Sequence, residues 1–287
     1  MRKVFLVLMV LSLSGLMVAC SEDDKTVRPA TPTETELEIS TTQIAVGYTC
    51  TPYNVMLEAT GGTAPYTWTL AAGSSLPEGV TLSADGRIYG LIEIEGSWSF
   101  EIVCTDAADA PVSVEVELTL DVEVTPNPSI ALFYDSDATI CSSEVLAFAQ
   151  DIDCHVFIMF EGGTPDCAYA AEFMISIEDE HGNVLEPGEA FMYRRLEFSP
   201  EVGLWLGSPF NGIAVTYNRP MHGAYNNGMV HILTFGLRLM EDVDNMAITI
   251  GASPNSQKDR PIIAACDAAR TIVEVNGRAS ALNYVIE

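Results

Sequence analysis

The chain has 287 residues, 48% of them apolar, and carries 40 acidic side chains against 13 basic ones for a formal net charge of −27. Apolar content on that scale builds packed cores and excludes a disordered chain, and the length leaves room for an export segment plus two domains of about 100–160 residues each. So strong a negative charge repels phosphate backbones and anionic headgroups, which excludes nucleic acid as a partner.

Residues 1–20 read MRKVFLVLMVLSLSGLMVAC: Arg2 and Lys3, an apolar run from Val4, then small residues before a cysteine. That is the pattern of a secretory signal over 1–19, with a run too short and too abruptly ended to span a membrane. Leu16-Met17-Val18-Ala19-Cys20 resembles the bacterial lipoprotein cleavage box, with Met17 where that family usually carries leucine. The resemblance implies that Cys20 becomes the diacylated first residue of the mature chain. Ser21-Glu22-Asp23-Asp24 is similar to the acidic tag of surface-exposed Bacteroidetes-type lipoproteins, and a serine after the cysteine fits outer-membrane sorting. The expected location is therefore the bacterial outer membrane, lipid-anchored and facing outward. From Cys20 to Glu34 the chain is polar, has two prolines and lacks periodicity, as a tether would.

The next segment, 35–125, is written in strand alternation and turn chemistry. Ile44, Val46 and Tyr48 alternate, as do Val55, Leu57 and Ala59. Tyr66, Trp68 and Phe100 fall at inward positions, and Trp98, Phe100, Ile102 and Cys104 share one face of a strand. Pro77-Glu78-Gly79 and Asp85-Gly86 supply turns between them. Val112–Val124 is apolar at every even position and mostly polar at odd ones, so one face is buried and the other wet. The prediction is an immunoglobulin-like β-sandwich. GGTAPYTWTL, LPEGVTLSADGRIYG and GSWSFEIVCTD together resemble the Ig-domain family of bacterial surface proteins, related to the cadherin-like sandwich. That resemblance implies a spacer or adhesion module and leaves the ligand open.

Thr125-Pro126-Asn127-Pro128 cannot continue a strand and reads as a linker. Beyond it, 129–287 offers strand patterns at 129–134, 155–160, 170–177, 213–217, 230–240, 246–250 and 271–275, with a short helical turn near Ser142–Gln150. A second β-sandwich follows, so the whole is an all-β chain of two consecutive sandwiches. AAEFMISI followed later by VHILTFGLRL is similar, at the level of pattern, to cohesin-like and carbohydrate-binding sandwiches.

With Cys20 acylated, Cys50, Cys104, Cys141, Cys154, Cys167 and Cys266 remain, an even set that predicts disulfides in an exported chain. The linker divides them two and four. Internal pairing then predicts Cys50–Cys104, while the other four allow three connectivities that stay open. No Cys-x-x-Cys or Cys/His zinc spacing occurs, nor any His-Glu-x-x-His, Gly-x-Ser-x-Gly or phosphate loop. His155 and His231 sit in strand patterns and read as structural residues. Calcium is the one cofactor the acids suggest, with Asp106 and Asp109 in CTDAADAP as loop ligands near a strand end. The segment Glu201–Asn227 combines Gly and Asn turns with Trp205, Tyr217 and Tyr225, the residue types of a sugar-binding ledge.

These features predict a non-catalytic, lipid-anchored surface protein with an adhesion or scaffolding role. Its partners would be the membrane, through the anchor, and another surface protein or a glycan. A carbohydrate-binding module on an Ig-like spacer is the alternative. A secreted hydrolase with unidentified carboxylates is the second.

Overall fold

Glycine-directed turns set the first sandwich. Gly79 (φ +84) closes a turn in which the Val80 N–H donates to Pro77 O at 3.2 Å, and Gly86 (φ +95) closes another by donating to Ser83 O at 3.0 Å. The strands these turns deliver, Val80–Leu82 and Arg87–Leu91, pair antiparallel, and Pro52–Met56 joins the far side of Arg87–Leu91. Gly90 permits their close approach: a Cβ there would lie 1.9 Å from the Gly79 carbonyl oxygen. The computed structural model describes residues 35–143, 151–160, 162–225, 227–241 and 243–282. The signal over 1–19, the tether with Cys20, and all but Ser142 and Ser143 of the expected helical turn lie outside them. Those two serines form a short strand.

Opposite this three-stranded sheet lies a four-stranded one, in the order Gly47–Tyr48, Ser113–Glu123, Gly96–Thr105 and Thr67–Leu70. Its central ladder runs from Gly96↔Val122 to Thr105↔Ser113. Strand alternation then decides what is buried. Phe100, Ile102, Cys104, Leu118, Leu120 and Val122 meet Tyr53, Ile88 and Ile92 from the opposing sheet in one core, with Trp68. The residues between them carry the wet face, as the sequence pattern requires.

Two larger sheets make the second sandwich. One has the order Phe191–Phe198, Met229–Leu239, Ile152–Met159, Ser129–Phe133 and Asn276–Gly277. The other centres on Cys167–Glu178, a strand long enough to hold different neighbours along its length. Ile213–His222 flanks its first half on one side, with Val202–Gly207 beyond as the edge. On the other side Ile262–Ala265 pairs with the first half and Met246–Gly251 with the second. Phe173, Ile175, Ile177, Ile213, Val215 and Ile248 from this sheet pack against Val156, Phe191, Leu233, Phe235 and Leu237 from the first. The two sandwich cores share no residue. No helix among the described residues is long and apolar enough to cross a membrane.

The cysteines pair differently from expectation. Cys50 bonds Cys141 and Cys167 bonds Cys266, while Cys104 and Cys154 are buried free thiols. The expected Cys50–Cys104 pair fails because the two residues serve different surroundings. Cys104 lies opposite Trp68 on the inner face and is fully buried, acting as a small hydrophobe. Cys50 sits in a turn at φ +58, where its N–H donates to Ile92 O, and it reaches across to the second sandwich. Cys154 is likewise a core residue, cross-strand from Phe235.

Polar contacts join the sandwiches as well. Arg87 donates through Nε to Asn54 Oδ1 at 2.8 Å and pairs with Glu180 Oε2 at 3.2 Å, while Asn54 Nδ2 donates to Glu180 O at 3.0 Å.

Candidate binding surface

Cross-strand register in the larger sheet of the second sandwich builds one outward face from five strands. Leu204, Thr216, Ala170, Ala264 and Ile272 are successive partners across it. Two residues along, Leu206, Ala214, Glu172, Ile262 and Glu274 form the neighbouring row. Their inward counterparts include Val215, Ala171 and Ile263, all buried. At strand spacing the face is about 19 Å across. One row has no charge at all. The other has two carboxylates, of which Glu274 pairs with Lys258 at 3.1 Å.

Large apolar side chains stand clear of this face at both margins. Leu204 is 57% exposed, Leu206 67% and Ile272 52%. Between them Thr216, Ala170, Ala264 and Ala214 are small, and Glu172 and Ile262 are the larger side chains. Val202–Gly207 pairs only with Ile213–His222 among the described residues, so the face also ends on an open strand edge. Glu201 at its start is held by Arg219 through two contacts of 2.8 and 3.0 Å.

The aromatic trio expected from 201–227 is not assembled as a ledge. Trp205 is 48% exposed but points to the opposite side of its strand from Leu204 and Leu206, and it stacks on Phe198 at 4.3 Å and 24°. Tyr217 is inside the core. Tyr225 closes a short 3-10 turn, Gly223–Tyr225, and its side chain lies outside the described residues. Sequence alternation alone could have separated Tyr217 from Trp205, because Ile213, Val215 and Tyr217 follow a period of two.

Burial of Tyr217 has an energetic consequence. Its hydroxyl is buried without a hydrogen-bond partner among the described residues, and burial pushes its pKa far up. Removing an unsatisfied buried hydroxyl relieves its desolvation cost. Tyr217→Phe is therefore expected to raise stability by about 1 kcal/mol in urea unfolding. A loss of similar size would show that the hydroxyl is satisfied.

Asp106 and Asp109 are not brought together as an ion site. Asp106 is buried, and its two oxygens accept the Val112 N–H at 2.8 Å and the Thr63 N–H at 3.0 Å. The Val112 amide above all, then Thr63 and Ala108 against an opposing burial effect, hold its carboxyl below the ordinary range. Asp109 is exposed three residues away. Among the described residues, the potential ligands within reach of one another are instead Cys167, Cys266 and His222, where both sulfurs are used in the disulfide.

His155 and His231 lie on the outer face of the other sheet and share one hydroxyl. Thr234 Oγ1 is 2.8 Å from His155 Nδ1 and 2.9 Å from His231 Nε2. Burial pushes the His231 pKa down, the nearby His155 adds to the effect, and a backbone contact with Leu233 partly opposes it. The folded state thus resists protonating His231 more than the unfolded chain does. Stability is expected to fall as pH drops below about 6.5. A second loss, as depressed carboxyls such as Asp106 protonate, follows below about 4. Melting temperatures across pH 8 to 3 check both steps, and His231→Gln is expected to flatten only the first.

No curated protein matches the sequence. Among solved structures, a cohesin module from a Clostridium perfringens family 33 glycoside hydrolase aligns at 10% identity and a TM-score of 0.36, over 55% of this chain and 97% of the module. A protocadherin gammaB7 EC3-6 structure aligns at 10% identity and a TM-score of 0.27, over 88% of this chain and 48% of its own. Residues 29–123 match the family model described as "Putative Ig domain". The chain is thus an all-β protein whose first sandwich is immunoglobulin-like.

Proposed function

We propose that the protein is a non-catalytic, lipid-anchored component of the bacterial outer surface, with Cys20 as the anchor, that holds another protein in an adhesion or scaffolding role. The observation that carries this reading is the flat five-strand face bounded by Leu204, Leu206 and Ile272. Exposed apolar area of this kind, ending on an unpaired strand, fits a folded protein surface better than a small ligand. Glu172, in the middle of the face, and the overall charge of −27 favour a partner that sets a basic group among apolar contacts. The Ig-like sandwich acts as the spacer that carries this face away from the membrane.

Calcium is not part of this reading: each Asp106 oxygen accepts a loop amide, and Asp109 does not join it. Carbohydrate binding keeps Trp205 as an exposed aromatic platform, with Tyr217 withdrawn into the core.

Site-specific photocrosslinking on intact producing cells tests the reading. Benzoyl-phenylalanine in place of Leu206 is expected to capture a protein, and Leu204→Glu in the same chain is expected to abolish capture. Capture of polysaccharide alone, or none at all from protein displayed on the surface, would overturn it. Labelling with an alkynyl fatty acid, lost in Cys20→Ser, tests the anchor separately.

A further inference from the structure

A cleft of about 530 Å³ opens where the first sandwich meets Ser142 and Ser143 of the second. Leu91, Ile94 and the Trp98 indole give it an apolar wall, and Glu78 and Glu93 place two carboxylates on the same lining. It is remote in sequence from the flat face and owes nothing to it.

Backbone and covalent links hold each wall in place. The Gly79 carbonyl, next to Glu78, accepts the Leu91 N–H at 2.9 Å. The Ile92 carbonyl, next to Glu93, accepts the Cys50 N–H at 3.0 Å. Cys50 is bonded to Cys141, which delivers Ser142 and Ser143 to the opposite side. Trp98 lies back over Gly96, where a Cβ would come within 2.8 Å of ring atom Cη2. A larger residue at 96 would push the indole away. The backbone of the cleft is therefore set before any ligand arrives, with the Glu78 and Glu93 side chains exposed at its lining.

Its charge is one-sided. No basic residue lines it, and neither Glu78 nor Glu93 has an ion-pair partner among the described residues. Covering an unpaired carboxylate with a neutral group costs desolvation that nothing repays. A cation removes that cost through charge-assisted hydrogen bonds and gains further from the face of an indole. An aliphatic stem on the cation would lie along Leu91 and Ile94. The field of a chain at −27 draws cations toward the cleft.

We propose that this cleft binds an alkylammonium or guanidinium group on an aliphatic stem, with Trp98 beneath the cation and Glu78 and Glu93 beside it. Such a group comes from a lysine or arginine side chain or from a free amine.

Titration of the whole chain, followed by the NMR signal of the Trp98 indole N–H and assigned with Trp98→Phe, tests the proposal. The probes are the Nα-acetyl methylamides of lysine, arginine and norleucine, hexylammonium, and a neutral methyl glycoside. The cationic probes are expected to shift the indole signal saturably, and the norleucine derivative to bind about tenfold more weakly or less. Glu78→Gln with Glu93→Gln is expected to bring lysine down to the norleucine level while the melting temperature is retained. Tighter binding of the amino-acid amides than of hexylammonium assigns the cleft to protein side chains, and equal binding extends it to free amines. Norleucine binding as tightly as lysine, the glycoside binding in place of the cations, unchanged lysine binding in the double glutamine variant, or no indole shift would each overturn it. None of these outcomes bears on the Leu206 crosslink.

Discussion

Replacing Cys50 and Cys141 together by serine is expected to lower the unfolding free energy by about 2–5 kcal/mol, read from urea unfolding. The bond closes a loop across 91 residues of sequence separation that contains most of the first sandwich, so its loss frees a large unfolded ensemble. It also ties together two cores that share no residue, at a junction that further holds the polar contacts around Arg87, Asn54 and Glu180 and a small apolar cluster of Phe133, Cys141 and Phe157 packed by Cys50. The Arg87–Glu180 pair, with side chains 12% and 39% exposed, is a weaker constraint than the covalent link. Limited proteolysis of the variant is accordingly expected to cut at Thr125–Pro128 well before either sandwich unfolds. Equal protease resistance in variant and parent would show that the junction does not need the bond.

The second large effect is expected from Phe235→Ala, about 3–5 kcal/mol in the same measurement. Phe235 is fully buried at the centre of the second core. Its ring meets Phe210 edge-on at 5.6 Å and 83° and Tyr193 at 6.5 Å and 85°. Truncation removes both the transferred apolar surface and these aromatic contacts, and the surrounding strands are too firmly paired to close the cavity. Hydrogen exchange locates the damage. Amides of Ile152–Met159 and Met229–Leu239 are expected to lose protection, while the ladder between Gly96–Thr105 and Ser113–Glu123 keeps it. Uniform loss across both ladders would mean that the two cores unfold as one.

Turn chemistry and period-two patterning made the first sandwich legible. Gly79, Gly86 and the alternation of Trp98, Phe100, Ile102 and Cys104 each carry a local physical demand that the chain satisfies locally. Phe191–Phe198 and Val202–Gly207 were not legible as strands. The first mixes Arg194, Arg195 and Glu197 with its apolar residues, and its register shifts between Arg194 and Glu197, which breaks the alternation. The second is apolar on both sides because it is an edge, with Trp205 turned to one side and Leu204 and Leu206 to the other. Disulfide connectivity was beyond reach for a different reason. Counting cysteines on either side of a linker assumes that each sandwich closes on itself, whereas the Cys50 turn faces its neighbour. The flat outer face was hidden for a related reason. Ala170, Ala264 and Thr216 look unremarkable one by one, and only long-range register lines them up with Leu204 and Ile272.

That two β-sandwiches are latched to each other through Cys50 and Cys141 can be verified by peptide mapping of the unreduced, denatured protein. The expected map contains Cys50–Cys141 and Cys167–Cys266, with Cys104 and Cys154 alkylated as free thiols. A Cys50–Cys104 peptide, or alkylation of all six of these cysteines without reduction, would contradict it.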